Sequence, residues 1–299
     1  MNNKKYFFEM SGIQSLTDEQ TSNFVFRART KDGHIVKLLG ELIHNTGILQ
    51  APFIIDNEGI KLSAADANAH QLINFTLYRE NFQMWKCTKP LYFHVNATHF
   101  HRMVKTIKKK DYITIYIKDD DVCKLCFCVE TIDEAAPSFT NIHIQYCLQP
   151  QVFSVPEGYP APTTCTKAEY QKMKMLQIIS KQMIVTSPYP GLMYFFCDGG
   201  VVYDRKVVLG SEYQDEEIKK EAEEFRQTFS TSKLTSLTKC ANQSTSNIKI
   251  YCKKNLPLKI KMTAASLGDL VICIKSDERI ALEQKMEAEK TRMKKEGEE

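Results

Sequence analysis

Three clusters in this 299-residue chain hold residue types that could do chemistry. Cys123, Cys126 and Cys128 form a C-x-x-C-x-C run of thiols. A structural zinc site wants four ligands at fitting spacing, and no second ligand pair follows. The run also alternates as a strand does, so ordinary strand cysteines are expected. His99 and His101 are expected to be a helix-surface pair and not metal ligands. Asp119, Asp120 and Asp121 offer consecutive carboxylates, which could serve a metal-dependent nuclease. Their setting between two strand-like runs predicts a solvated hairpin turn instead. The chain has no GxxxxGK[ST] loop, no HExxH and no GxSxG. The expectation is a protein with no catalytic residues, no metal and no cofactor.

Neutralising phosphate is chemistry of another kind, and basic residues recur on segments with helical spacing. In 97–109, Phe100, Met103, Val104 and Ile107 fall at i, i+3, i+4 and i+7 and predict a buried face. His101, Arg102, Lys105, Lys108 and Lys109 fall opposite, with Lys110 just beyond. A helix after Asp32 would bury Val36, Leu39, Leu42 and Ile43 and turn Lys37 outward. Thr166-Lys167-Ala168-Glu169 is a capping-box pattern, opening a helix with Lys167, Lys172 and Lys174. A fourth helix after Thr231 offers Lys233 and Lys239. Acidic residues gather elsewhere, at Asp119–Asp121, Glu212–Glu224 and the C-terminal end. The modest net charge of +4 therefore hides segregated charge. One lysine-bearing helix is ordinarily a solvated face. Four in a repeated arrangement point to DNA, because each phosphate neutralised releases counterions.

The elements that must position these residues are mostly short strands. Phe24–Ala28, Gly59–Leu62, Leu72–Leu77, Tyr112–Tyr116 and Asn247–Tyr251 all alternate. An internal repeat organises them. Asn96–Ile107 precedes the strand Tyr112–Tyr116, and Ser230–Ala241 precedes Asn247–Tyr251. Phe100, Met103 and Ile107 match Leu234, Leu237 and Ala241, and Lys105 matches Lys239, at an offset of about 134 residues. The fold class expected is α+β, with two topologically similar domains, strands outside and short helices lining an inner face. The proline-bearing stretch 147–163 reads as the connection, since proline prevents both helix and ladder. Domains are expected at 23–146 and 164–275. Residues 1–22 form an extension, and 276–299 a charged tail, either a solvated helix or disordered.

Bulk composition is that of a globular protein, 43% hydrophobic and 25% charged. Ten cysteines without framework spacing suggest reduced, intracellular thiols. No run reaches the roughly 18 apolar residues of a membrane span, and MNNKKYFFEM lacks a secretory apolar stretch. A cytosolic or nuclear protein, or one at a viral replication site, fits these features.

Taken in order, several stretches resemble the proliferating cell nuclear antigen family of DNA sliding clamps. Ile35–Leu39 followed by Asp56–Asp66 is similar to the family's first helix and its next strand and turn. Phe75–Leu77 runs on to Trp85-Lys86-Cys87. Val95-Asn96 opens the second helix, Val155-Pro156-Glu157 is similar to the connecting loop, and Pro257-Leu258 through Leu267–Leu270 to the closing hairpin. The resemblance covers most of residues 24–275; residues 1–22 and 276–299 have no counterpart in the family pattern and hint at a divergent source such as a large DNA virus.

The resemblance implies a non-enzymatic ring of three subunits around double-stranded DNA, touching phosphates and not bases. Lys37, Arg102, Lys105, Lys172 and Lys239 match basic positions of the family's pore, and Lys108 joins them by its face on the helix. Subunits would pair by edge strands near Asn141–Tyr146 and Lys206–Gly210. DNA polymerase, a clamp loader and other replication or repair proteins are the implied partners. Their peptides would enter a pocket formed by Ala65, Leu72, Phe153, Val155, Pro257, Cys273 and Ile274. Ala65 stands where the family has methionine, Cys273 where it has an aromatic residue, and Ala69 where it has histidine. Two rival readings are a monomeric or dimeric polymerase accessory factor and a metal-dependent nuclease using the acidic turn.

Overall fold

The computed structural model describes residues 24–131, 136–201, 203–211 and 224–296. The N-terminal stretch 1–22 and most of the acidic run Glu212–Glu224 lie outside the described residues.

Among the described residues, the first domain contains ten strands and two α-helices. In chain order they are β1 (Phe24–Thr30), α1 (Gly33–Asn45), β2 (Gln50–Ile55), β3 (Gly59–Ala65), β4 (Gln71–Tyr78), β5 (Met84–Cys87), β6 (Leu91–Asn96), α2 (Ala97–Val104), β7 (Tyr112–Lys118), β8 (Lys124–Glu130), β9 (Ser138–His143) and β10 (Gln145–Tyr146). After the connecting segment come β11 (Thr163–Cys165), α3 (Lys167–Gln171) with a 3-10 turn over Lys172–Leu176, β12 (Gln182–Tyr189), β13 (Leu192–Asp198) and β14 (Asp204–Gly210). The second domain ends with β15 (Phe225–Ser230), α4 (Thr231–Thr235), α5 (Thr238–Ala241), β16 (Ile248–Tyr251), β17 (Leu258–Ala264) and β18 (Gly268–Ile274). A last helix, α6 (Asp277–Glu296), carries the charged tail.

Local chemistry explains these boundaries. In β4 buried and half-buried residues alternate strictly, as expected where one face meets a core. Thr166 and Glu169 form the capping box: the Glu169 N–H donates to Thr166 Oγ1 at 3.3 Å and the Thr166 N–H to Glu169 Oε2 at 2.7 Å. Asn96 caps α2 by accepting the His99 N–H at 3.0 Å. The expected helix 97–109 is shorter than its apolar spacing predicts. It stops at Val104, where the Ile107 N–H turns back to the Val104 carbonyl. The buried Asp111 carboxylate then takes the Lys108 N–H at 2.7 Å. Lys108 therefore lies beyond the helix, not on its face.

The two halves repeat one topology. Sheet order β1-β7-β8-β9 in the first is matched by β11-β16-β17-β18 in the second, and β6-β2-β3-β4 by β15-β12-β13-β14. One sheet of nine strands, β10-β6-β2-β3-β4-β18-β17-β16-β11, crosses from one domain to the other. The joint is the antiparallel pair β4–β18, in continuous register from Gln71↔Ile274 to Leu77↔Gly268. The remaining strands form a five-stranded sheet ending in β9 and a four-stranded sheet ending in β14.

The backbones of β4 and β18 meet closely at Gly268. A Cβ there would lie 1.8 Å from the Thr76 carbonyl oxygen, which is ladder backbone and cannot rotate away. Gly268→Ala is expected to lower stability by about 3 kcal/mol, and to expose the joint to limited proteolysis before either domain core. Wild-type stability in urea denaturation would show that the close approach is not a constraint.

Candidate nucleic-acid interface and partner groove

The helices form one continuous layer on one side of the sheets. α2 packs on α1, α1 reaches α5 across the domain boundary, α5 meets α3, and the 3-10 turn meets α4. Two contacts fix that crossing. Lys239 donates to Glu41 of α1, and the Cys240 thiol lies 4.0 Å from the Leu38 carbonyl. The apolar residues of the repeat point inward: Phe100, Ile107, Leu234, Leu237 and Ala241 are buried, and Met103 is partly so.

The basic residues separate into two kinds. Arg102, Lys105, Lys172 and Lys239 are exposed on this layer, as Lys108 is just past the end of α2. Lys37 is half-buried, and its ammonium donates to the Ile107 carbonyl at 3.1 Å. It closes the turn after α2 and is committed to the fold. The segregation of charge is also less complete than the sequence implies. Glu41 lies within the helical layer and pairs with Lys239, and Asp66 lies 3.8 Å from Lys233.

Sequence spacing missed one feature of this face. His101 stacks on His44 of α1, not beside His99, with ring centroids 4.8 Å apart. Burial, then the neighbouring His44, lowers the His101 pKa below the ordinary imidazole value. Cys126 and Cys128 both stand on β8, two apart and so on one face. Burial raises both thiol pKa values, which disfavours the thiolates a metal would need. Asp121 lies in the turn between β7 and β8 and pairs with Lys124 at 2.6 Å.

On the opposite face of the nine-stranded sheet, the connecting segment runs across the joint like a strap. The Phe153 N–H donates to Ser63 Oγ at 2.9 Å, and Asn74 Nδ2 donates to the Phe153 carbonyl at 3.1 Å. At the far end Tyr159 donates its hydroxyl to the Pro257 carbonyl at 2.7 Å, and Lys253 donates to the Gly158 carbonyl at 2.8 Å. Between these anchors, Ala65, Leu72 and Cys273 form one cross-strand row. Val155 and Pro156 are half-buried in the strap. Cys273 is only 4% exposed, and burial pushes its thiol pKa up to about 11, so this floor is uncharged.

Ile274 does not join this group. Successive strand residues face opposite sides, and Ile274, at 0% exposure, points into the core. The residue on the outward face beside Cys273 is Lys275. Parity alone would have revealed this. Tyr159, Tyr251 and Lys259, which close the far end of the groove, gave no such local signal.

With this geometry in place, two comparisons agree. Residues 25–145 match the family described as proliferating cell nuclear antigen, N-terminal domain. A protein of Paramecium bursaria Chlorella virus 1, described as probable DNA polymerase sliding clamp 1, is 21% identical over 260 residues, covering 84% of this chain and 97% of that protein. The first half of the chain is thus similar to the proliferating cell nuclear antigen family, and most of its length to a viral relative described as a probable sliding clamp. Members of that family are non-enzymatic DNA sliding clamps, and the α+β architecture of two like halves seen here is consistent with that likeness.

Two measurements check the assignments on the helical face. Lys37→Met removes the side-chain donor at the Ile107 carbonyl and should cost about 1–2 kcal/mol, whereas Lys105→Met should stay within about 0.5 kcal/mol. Equal losses in chemical denaturation would contradict the division. His101 favours its neutral form in the fold, so its contribution is present above about pH 6.5 and is lost as pH falls below that. His101→Gln should therefore reduce the drop in melting temperature between pH 7.5 and 5.5. An unchanged drop would place the acid sensitivity elsewhere.

Proposed function

We propose that three copies of the chain close head to tail into a ring around duplex DNA. The groove under the strap then tethers a DNA polymerase and other replication or repair enzymes. One observation carries this reading: each strand of the interdomain joint has a counterpart that is unpaired on one side among the described residues. β14 ends its sheet as β4 ends β6-β2-β3-β4, and β9 ends its sheet as β18 ends β11-β16-β17-β18. Pairing β14 of one copy with β9 of the next would repeat the intrachain joint and remove both edges. The five-stranded and four-stranded sheets would merge into nine strands, the number in the sheet that already joins the domains. Such a contact is heterologous and forms a ring when its rotation closes. The number three follows the family resemblance.

Exposed apolar side chains support the same surface. Phe139 on β9 is 66% exposed and Val208 on β14 is 47% exposed. In the helical layer α3 is the counterpart of α1. Since α1 packs on α5 within the chain, α3 would meet α2 of the next copy and cover the exposed Met175 and Ile178.

Within the ring, Arg102, Lys105, Lys172 and Lys239 would face the duplex as mobile cations. They could meet phosphates without reading bases, which permits sliding. Glu41 would release Lys239 to a phosphate at little cost, because an exposed ion pair contributes little. Duplex DNA cannot thread a closed ring except at an end, so a loader that parts one β9–β14 joint is implied. Such a clamp would act where DNA is copied, in the nucleus or at a viral replication site.

Native mass measurement should give about three times the 34.4 kDa of one chain. Phe139→Asp with Val208→Asp should shift it to monomer. A wild-type monomer at micromolar concentration would instead favour a monomeric accessory factor. Replacing Arg102, Lys105 and Lys239 with Ala should shorten polymerase products and lower the slope of log affinity against log salt by about 1 or more. An unchanged slope would remove these residues from the DNA face.

A further inference from the structure

We infer that the groove takes a partner peptide with acidic residues directly beside its apolar anchor, met by Lys249, Lys253 and Lys259. The inference rests on the groove reading above and adds the charge of the ligand.

The apolar row does not stop at Cys273. Cross-strand pairing continues it into Lys259 on β17 and Tyr251 on β16. The next row runs Asn74, Val271, Lys261 and Lys249 on the same outward face. Two lysines at this end are neutralised within the chain: Lys261 by Asp269 at 3.2 Å and Lys275 by Glu283 at 2.6 Å. Lys249, Lys253 and Lys259 have no carboxylate partner among the described residues.

Two of these three cations are aimed by the strap itself. Lys259 lies between the rings of Tyr159 and Tyr251, its ammonium 4.2 Å and 4.4 Å from their centroids, and reaches the Pro156 carbonyl at 3.5 Å. Lys253 reaches the Gly158 carbonyl. Aromatic faces and carbonyls orient an ammonium without cancelling its charge. The end of the groove is therefore a preset positive site next to an uncharged floor. DNA held by the helices would not meet it, because Lys249 and Lys259 alternate with Ile248, Ile250 and Ile260, which are buried on the core face. A peptide that buries an apolar anchor over Leu72 and Cys273 and places carboxylates one or two residues on would satisfy both. A peptide basic at those places would be repelled.

Fluorescence anisotropy with two synthetic peptides tests this. Both carry the same aliphatic and aromatic anchors, and one is flanked by Glu and Asp, the other by Gln and Asn. The acidic peptide should bind about tenfold tighter at low salt, with the gap closing as salt rises. Lys249→Gln, Lys253→Gln and Lys259→Gln together should erase the gap and spare the neutral peptide. Lys249→Gln with Lys253→Gln, which leaves the Lys259 packing intact, should erase part of it. Val155→Glu with Leu72→Glu should abolish both peptides. Equal affinity of the two peptides for the wild type, or a gap that survives the triple substitution, overturns the inference and leaves the groove standing. Failure of both peptides to bind overturns the groove reading and the inference with it. Displacement of the acidic peptide by a DNA duplex in the wild type but not in the Lys249→Gln, Lys253→Gln variant would assign these lysines to nucleic acid and also overturn it.

Discussion

Strands β4 and β18 come from different domains, far apart in sequence, and their cross-strand pairs turn two domains into one sheet. Both faces of the molecule depend on that ladder. Ile73 and Ile272 pair on its core side, under the helices. Leu72 and Cys273 pair on its outer side, under the strap. The same hydrogen bonds that set one domain against the other therefore also bring α1 to α5 and assemble the groove floor. Gly268 shows how little slack exists, since even a methyl group would collide with the opposing backbone. A site built across such a joint is only as well formed as the joint itself.

Period-two alternation then sorts the charge. Along β16 and β17 the isoleucines turn to the core while Lys249, Lys259 and Lys261 turn outward. The helices sort their residues by a different period, and Arg102, Lys105, Lys172 and Lys239 emerge on the other side of the molecule. A chain with little net charge thus carries two basic surfaces back to back. Their ligands differ because their settings do. The helical cations are exposed on their layer, Lys239 within reach of Glu41, and in the proposed ring would suit a polyanion that moves past. The strand cations border an apolar floor and are held by rings and carbonyls, suited to a ligand that stays.

Much of this was legible in the sequence where the period was long enough to read. The strand Leu72–Leu77, the capping box at Thr166 and Glu169, and the repeat of Phe100 and Ile107 in Leu234 and Ala241 all follow from spacing. What escaped involves contacts between distant segments. Nothing near His44 announces His101, and nothing near Glu41 announces Lys239. The end of α2 at Val104 depends on the buried Asp111 collecting a turn N–H, and an apolar residue at 107 disguises it because Ile107 is buried after the helix has ended. Ile274 is a different kind of error. Its parity with Cys273 is visible in the sequence, but a match of motif to motif can slip by one residue, and in a strand one residue reverses the face.

The edges of the sheets show which surfaces are kept open. An exposed strand edge invites pairing, and proteins ordinarily shorten or cap such edges. β5 has 4 residues, β10 has 2 and β11 has 3, too short to template a partner. β15 has 6 residues, but the Glu278 carboxylate of α6 accepts its Thr228 N–H at 2.8 and 3.1 Å, capping the middle of the strand. β9 and β14, with 6 and 7 residues, have no such cap among the described residues, and each carries an exposed apolar side chain. Protection at four edges and its absence at two is selective. The pair left open among the described residues occupies the sheet positions of the two strands that join the domains, and in the proposed ring the tail helix that caps β15 would direct self-association to the mode that repeats the intrachain joint.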